Sequence, residues 1–343
     1  MPIAVLAAGD EFVTPDLLTA AVTAELADAK VWRLELPWPV HPFGDIAEVH
    51  EASGTEEEMI DALRCAQVCV THLGALTERV LRTAADLKLV AVSRGGPVNV
   101  NLAAATDCGV AVCYAPGRNA TAAAEYTVGM VLSALRRIPQ AHTELSAGNW
   151  RGDYFRLDNC GLELNGTTVG LVGYGAIGSR VAWVLSAFGA EVLVHDPYLD
   201  AATATGVTLV DLDELLRRSR VVSLHARAST ENVGMIGAEE IAMMPRGSVL
   251  VNCARGSLLD YDALCDALHS EHLFAAAIDV YDVEPPPEGS RLYRAPNLVL
   301  TPHLAGASQQ VAEKAARIVA AEVGRWVRGE PLENLANPEV LER

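Results

Sequence analysis

Apolar residues recur along this chain with two periods, and the alternation between those periods sets the expected fold class. A strand-like apolar run begins at Ile3 and gives way to an alanine- and leucine-rich helical stretch that reaches Val31. Short apolar runs at Val68 to Val70 and Leu89 to Val92 follow further helix-like segments. After Arg118, residues 121–147 carry apolar positions at helical spacing (Ala124, Val128, Val131, Leu132, Leu135) with no proline before Pro139, which predicts one long helix joining two domains. Beyond Gly166 the alternation restarts with cleaner strands at Thr168 to Val172, Glu191 to Val194, Val221 to Leu224, Ser248 to Val251, Ala275 to Ile278 and Leu298 to Leu300. A last amphipathic helix is expected from about Ser308 to Arg328. Its stripe of Val311, Ala315, Ile318, Val319, Val323 and Trp326 must bury against a neighbour, and the first domain is the natural one. Strands separated by helices predict an α/β protein with doubly wound parallel sheets.

Length and composition narrow the picture. A chain of 343 residues fits two domains, since single cores stop growing beyond roughly 250 residues. Half of the residues are hydrophobic, enough for a buried core. Asp and Glu outnumber Lys and Arg by 44 to 26, a formal charge of −18 that argues against nucleic acid or an anionic membrane as partner. No basic segment precedes the first apolar run, and no apolar stretch approaches the roughly 18 residues of a membrane span, so a cytoplasmic protein is expected. The cysteines are odd in number (seven) and unpaired in pattern, which predicts buried free thiols rather than disulfides or a metal site. His269 and His272 read as a solvated helix surface, and no metal is expected. An anionic ligand bound by so acidic a chain needs cations or backbone dipoles gathered locally.

One such device is legible. Gly173, Gly175 and Gly178 follow a predicted strand and open a predicted helix, in the sequence Gly-Tyr-Gly-Ala-Ile-Gly. Gly173 permits the tight turn, Gly175 lets the backbone approach a pyrophosphate, and Gly178 lets helix and strand pack closely. Free N–H groups at the helix start then receive the anion. Asp196, about 20 residues further on at the next strand end, is placed to accept ribose hydroxyls, which predicts NAD(H) over NADP(H).

Three more segments lie just past predicted strands, where ligands of open α/β sheets bind. They are Asn252-Cys253-Ala254-Arg255-Gly256, Asp279-Val280-Tyr281-Asp282-Val283-Glu284-Pro285 and Thr301-Pro302-His303-Leu304-Ala305-Gly306. Together they offer a cation, a carboxylate and an imidazole, the set that hydride transfer between a nicotinamide and a 2-hydroxy acid requires. Arg255 suits the substrate carboxylate and carbonyl, because its planar fork matches carboxylate oxygens. His303 can give a proton to the forming alkoxide or take one from the hydroxyl. Glu284, hydrogen-bonded to His303, would favour imidazolium and fix the ring.

On these motifs the chain resembles the NAD-dependent D-2-hydroxyacid dehydrogenase family, which includes phosphoglycerate dehydrogenases and glyoxylate/hydroxypyruvate reductases. The resemblance covers nearly the whole chain. It implies Arg255, Glu284 and His303 as catalytic residues, and Asp279 as the group that holds the nicotinamide carboxamide. The cofactor set it implies is Gly173, Tyr174, Gly175, Ala176, Ile177, Gly178, Asp196, His225, Cys253, Ala254, Asp279, His303 and Gly306. Substrate-binding residues would be Arg94, Gly95, Gly96, Arg255 and His303. The loop Ser93-Arg94-Gly95-Gly96-Pro97 departs from the family's commoner Arg-Ala-Gly-Thr-Gly form, and Arg94 either faces the substrate or pairs with surface acids. Arg227 stands where relatives often carry proline, an added cation or a surface ion pair. Glu125 reads as a hinge or a helix-terminal acid, since an acid in the first turn complements the helix dipole.

The implied fold is a Rossmann NAD-binding domain, 119–303, inserted into a discontinuous flavodoxin-like substrate domain, 1–118 and 304–343. Two crossings would make a hinge that closes on substrate. Residues 119–155 resemble the family's dimer-forming arm, with Trp150 and Tyr154 either anchoring a subunit interface or packing within one chain, and Arg151 or Arg156 could reach a partner's site. The chain ends soon after its last helix, so a short form without a C-terminal regulatory domain is expected. The function so implied is reversible NAD-dependent oxidation of a small anionic D-2-hydroxy acid by a cytoplasmic homodimer. The other reading is an NAD(H)-sensing binding protein akin to the C-terminal-binding-protein corepressors, which keep the fold and act through partners.

Overall fold

The computed structural model describes residues 2–39, 44–200 and 205–342. The chain divides into two units, Met1–Asn119 with Ala307–Arg343, and Ala120–Gly306.

The first unit is built on a parallel sheet of Ala4–Gly9 (β1), Lys30–Glu35 (β2), Val68–Thr71 (β3), Leu89–Val92 (β4) and Ala111–Tyr114 (β5), in the order β2-β1-β3-β4-β5. That is the flavodoxin-like winding, whose order reverses between β1 and β3. Its helices are Pro15–Glu25 (α1), Glu56–Leu63 (α2), Glu78–Thr83 (α3) and Leu102–Asp107 (α4). Each starts where a side chain satisfies an open amide. Thr14, Thr77 and Asn101 accept from the third residue on, and Thr55 with Glu58 forms a reciprocal capping box. β3 and β4 are buried throughout because helices cover both faces, which is why they read as unbroken apolar runs.

The second unit begins with Ala120–Arg136 (α5) and Ile138–Ser146 (α6). The single helix expected over 121–147 is therefore two. Arg137 takes a left-handed conformation, φ 53°, and Pro139 sits in the first turn of α6, where its missing N–H costs nothing. The break is held by Arg137 itself, whose guanidinium lies 4.6 Å over the Phe274 ring and donates to Asn159 Oδ1 at 2.7 Å. Glu125 falls beyond the first turn of α5 and is exposed, so it caps no dipole.

There follow Thr168–Val172 (β6), Gly178–Ala187 (α7), Glu191–His195 (β7), Thr208–Leu209 (β8), Leu212–Arg218 (α8), Val221–Leu224 (β9), Ala238–Met243 (α9), Ser248–Asn252 (β10), Tyr261–His269 (α10), Leu273–Ile278 (β11) and Leu298–Leu300 (β12). All pair in parallel in the order β12-β11-β10-β9-β6-β7-β8. The winding runs outward both ways from β6, as in a Rossmann sheet. Leu193, Val222, Leu224, Leu250 and Ile278 face one core with Leu215, Ile241 and Leu264, while Val169, Leu171, Val194, Val249 and Val251 face another with Val131, Val181 and Leu185. The last helix, Gln309–Arg328 (α11), belongs to the first unit, where Ala312, Ala316, Val319 and Val323 pack with Val5, Leu18 and Val70.

All seven cysteines are free; Cys69, Cys113 and Cys265 are buried, whereas Cys65 at the end of α2 is exposed. His269 and His272 are engaged with backbone carbonyls, those of Cys265 at 2.7 Å and Ile241 at 2.9 Å. Among the described residues no group of three His, Cys, Asp or Glu side chains could hold a metal, and no helix is long and apolar enough to cross a membrane.

Candidate active site

Five strands of the second unit end in one paired row: His195 (β7), Val172 (β6), Leu224 (β9), Asn252 (β10) and Ile278 (β11), with Leu300 (β12) opposite Ile278. The sequence motifs lie one to six residues past that row, so the sheet brings them to one edge.

At the reversal between β6 and β9 sits the glycine turn. Gly173 has φ 103°, and a Cβ there would come within 2.7 Å of the Ala226 nitrogen. Only glycine fits both demands. A Cβ at Gly178 would strike the Gly173 carbonyl, which is the close helix-to-strand approach expected of the third glycine. Nothing lies within 4 Å of a Cβ built at Gly175, so the space a pyrophosphate needs is open. Asp196 also braces this turn: Oδ2 accepts the Tyr174 amide at 2.8 Å and Oδ1 the Tyr198 amide at 3.0 Å. His225 at the end of β9 bonds Ser223 Oγ through Nε2 at 3.0 Å, and burial lowers its pKa to about 4. Burial likewise pushes the Cys253 thiol up to about 12, so it stays protonated.

The arginine, glutamate and histidine loops interlock. Asn252, fully buried, folds the arginine turn, accepting from the Ala254 amide at 3.0 Å and donating to the Arg255 carbonyl at 2.9 Å. Arg255 is exposed, and its Nη1 donates to the Ala254 carbonyl at 2.7 Å. Gly256 lies hard against the next loop: a Cβ there would meet the Tyr281 carbonyl, with the Asp282 nitrogen at 2.5 Å. Tyr281 gives its amide to Glu284 Oε1 at 3.0 Å and its hydroxyl to the Thr301 carbonyl at 2.9 Å. One residue therefore touches all three loops.

His303 Nδ1 meets Glu284 Oε2 at 2.8 Å, with the imidazole half exposed. Burial acts to raise the Glu284 pKa, but the hydrogen bond and charge of His303, the Tyr281 amide and the Arg255 charge outweigh it, and the net direction is down. His303 is left-handed, φ 54°, a conformation that costs a non-glycine residue about 1–2 kcal/mol. Asp279 holds it there. Its carbonyl accepts the His303 amide at 2.8 Å, Oδ1 accepts Thr301 Oγ1 at 2.6 Å and the Leu304 amide at 2.8 Å, and Oδ2 accepts the Ala305 amide at 2.8 Å. The carboxylate expected to face a nicotinamide thus already shapes the histidine turn, with acceptor capacity left for one more donor.

In the first unit, Gly95 and Gly96 have open space where a side chain would be. Arg94 is paired with Glu51. Arg227 is exposed. Arg151 pairs with Glu144 and Asp153 and stacks 4.8 Å from the Tyr154 ring, while Arg156 pairs with Asp158. Thr301, Tyr281 and Asn252 stood inside the sequence motifs, yet no role for them was legible: Tyr281 bonds the Thr301 carbonyl and Thr301 the Asp279 carboxylate, each across to another loop, while Asn252 bonds the backbone of its own turn.

Comparison with known proteins agrees with this geometry. Residues 128–305 match the family model described as D-isomer specific 2-hydroxyacid dehydrogenase, NAD binding domain. The D-3-phosphoglycerate dehydrogenase of Methanocaldococcus jannaschii is 38% identical over 299 residues, 85% of this chain and 56% of that protein. The Bacillus subtilis protein YoaD, whose name places it among the 2-hydroxyacid dehydrogenases, is 34% identical over 82% of each chain. The crystal structure of the TT0316 protein from Thermus thermophilus superposes with a TM-score of 0.80 at 29% identity, covering 97% of this chain and all of that one. Such a fold and glycine turn define an NAD-binding α/β protein. The chain belongs to the D-isomer specific 2-hydroxyacid dehydrogenase family, and its second unit carries that family's NAD-binding domain. It spans little more than half the length, 56%, of the phosphoglycerate dehydrogenase it matches.

Proposed function

We propose that this chain is an NAD-dependent dehydrogenase that interconverts D-2-hydroxy acids and 2-keto acids. The observation that carries the reading is the His303 to Glu284 pair at 2.8 Å, next to the Arg255 turn at the same sheet end. NAD, when bound, supplies the hydride acceptor, and NADH the donor in reverse. The glycine turn would hold its pyrophosphate and Asp196 its ribose, with NAD(H) preferred over NADP(H). With Nδ1 committed to Glu284, Nε2 of His303 is the nitrogen that takes the hydroxyl proton in oxidation and returns it in reduction. Glu284 faces the positive charge that forms on the ring, and Arg255 grips the substrate carboxylate and polarises the carbonyl.

The first unit is read as the substrate domain, with the Ser93 to Pro97 loop offering backbone amides to the carboxylate. A cytoplasmic homodimer fits the exposed aromatic and apolar side chains of the arm and the residues after it: Trp150 at 81%, Phe155 at 92% and Leu157 at 94% exposure.

The test is NADH consumption with glyoxylate, hydroxypyruvate, phosphohydroxypyruvate and sugar-derived 2-keto acids. Turnover should favour NADH over NADPH, and His303→Ala should lower kcat by roughly 10²- to 10⁴-fold while NADH still binds. Unchanged turnover in that variant, or a wild type inert across the panel, refutes the reading.

A further inference from the structure

The first unit also ends its strands in one row, Ala8 (β1), Thr71 (β3), Val92 (β4) and Tyr114 (β5). Just past it, at the β1/β3 reversal where open α/β sheets bind ligands, two buried side chains meet. Asp10 Oδ2 holds His72 Nδ1 at 2.7 Å, and Oδ1 accepts the amides of Phe12 and Val13 at 2.9 and 3.0 Å. All three donors come from the chain itself. The Phe12 ring lies 5.6 Å from the His72 ring and 6.0 Å from the guanidinium of Arg118.

Arg118 reaches this place along the segment that leaves β5, which passes against the proposed substrate loop, where the Ala115 amide donates to the Arg94 carbonyl at 2.7 Å. Its Nε and Nη1 are buried and have no hydrogen-bond partner among the described residues, and it makes no ion pair with Asp10. Burial lowers its pKa to about 10 against the opposing pull of Asp10, so it remains charged near neutrality. Burial, helped by the Arg118 charge and resisted by Asp10, lowers the His72 pKa, so the imidazole does not add a second cation. Ser93, fully buried at the end of β4, likewise leaves its hydroxyl unpartnered among the described residues. Desolvating a guanidinium without an acceptor is costly, and folded chains keep such a group where something else completes it.

We propose that Arg118, backed by Phe12 and by His72 on its Asp10 anchor, is a receptor for a second anionic oxygen group, carboxylate or phosphate, at the far end of the substrate. The substrate class is then a 2-hydroxy or 2-keto acid with two anionic ends. The 2-carboxylate end would lie at the β4 loop, with β3 between that loop and the β1 end; neighbouring strands are about 4.8 Å apart, so the two strand ends are roughly 10 Å apart, room for a short diacid or a phosphorylated three-carbon acid between side chains that reach in from both. This assignment rests on the activity proposed above.

The experiment compares the full chain with Arg118→Gln and Arg118→Lys. Calorimetric titration with malonate and with inorganic phosphate, without NADH, should show binding that weakens at least tenfold in Arg118→Gln and partly survives in Arg118→Lys. In the NADH assay, the ratio of kcat/KM for oxaloacetate, 2-ketoglutarate or phosphohydroxypyruvate to that for pyruvate should fall by about 30-fold in Arg118→Gln, chiefly through KM. Whichever arm responds, diacid or phosphate, names the group. Equal losses on every substrate, or titrations identical in wild type and variant, overturn the proposal. If no 2-keto acid is turned over, the proposed activity fails, and the titration alone decides the anion site. Urea unfolding confirms that each variant is folded.

Discussion

Replacing Gly256 with alanine tests whether the arginine turn and the glutamate loop form one rigid frame. A Cβ at this position would lie 2.5 Å from the Asp282 nitrogen and closer still to the Tyr281 carbonyl, where 3.0 Å is near the limit for real contacts. One side must retreat by on the order of 1 Å. Tyr281 cannot easily do so, since its amide is bound to Glu284 at 3.0 Å and its hydroxyl to the Thr301 carbonyl at 2.9 Å. The shift therefore falls on Arg255, or else drags Glu284 and the histidine turn with it. Misplacing a catalytic group by that much costs roughly 10²-fold in rate, about 2.7 kcal/mol of barrier. The assay is kcat/KM for NADH-dependent reduction of the best 2-keto acid, with NADH affinity followed by fluorescence and folding by urea titration. A drop of roughly 10²-fold with NADH affinity kept within a few-fold is expected, because the glycine turn sits at the end of β6, outside this frame. A folded variant with wild-type kcat/KM refutes the reasoning. Should the alanine variant not fold, Tyr281→Phe, which removes only the hydroxyl, must lower kcat in the same direction by a smaller factor.

Asp279→Asn should cost about 1–3 kcal/mol of stability and lower kcat further than KM explains, because an amide cannot accept from Thr301 and two backbone amides at once; a variant with wild-type kcat contradicts the clamp on His303. Glu284 has a folded-state pKa below its ordinary value, so its stabilisation is present above the ordinary carboxylate range and is lost as pH falls through the lowered value. The Tm gap between wild type and Glu284→Gln should therefore be steady above about pH 5 and close in more acid solution, and a gap that widens on acidification would contradict the pairing. His225 has the opposite chemistry: held neutral with a pKa of about 4, it leaves the unfolded chain holding more protons as pH drops. Stability should fall between about pH 6.5 and 4 by up to ~3 kcal/mol on this account, and His225→Gln should flatten that slope in urea titrations; an unchanged slope removes the assignment.

How far the sequence could be read depended on whether the signal was local. β6, β7, β9, β10 and β12 are rich in Val and Leu, and Thr168 to Val172, Val221 to Leu224 and Leu298 to Leu300 are the observed elements, whereas the two-residue β8, Thr208–Leu209, has no apolar run to announce it. The residues meeting at the second sheet edge were legible because each motif closes its own strand, so the parallel pairing aligned them without any further information. Contacts between loops were not. Nothing in Tyr281 announces that its hydroxyl will reach Thr301, or in Gly256 that its missing side chain clears Tyr281. The break at Arg137 was missed since Pro139 is compatible with a helix start, and the left-handed residue before it has no compositional mark. Asp10 and His72 stand 62 residues apart and meet only because β3 pairs beside β1.

A chain with a formal charge of −18 can still bind anions, and on the sites proposed the two sheet edges would do so differently. At the β6 end the donors would be backbone N–H groups at a helix start, which need no side-chain cation. The first unit has two arginines near its sheet edge, and they differ in their partners. Arg94 is already matched by Glu51, so an anion arriving there would have to displace a carboxylate and would gain little. Arg118 feels the charge of Asp10 without pairing with it: that carboxylate accepts from His72 and two amides, while Nε and Nη1 of Arg118 have no hydrogen-bond partner among the described residues. Selectivity for a second anionic group should therefore follow Arg118 rather than Arg94, although Arg94 is the cation that lies within the proposed substrate loop. Net charge governs long-range approach, while which buried cation lacks an acceptor governs what is held.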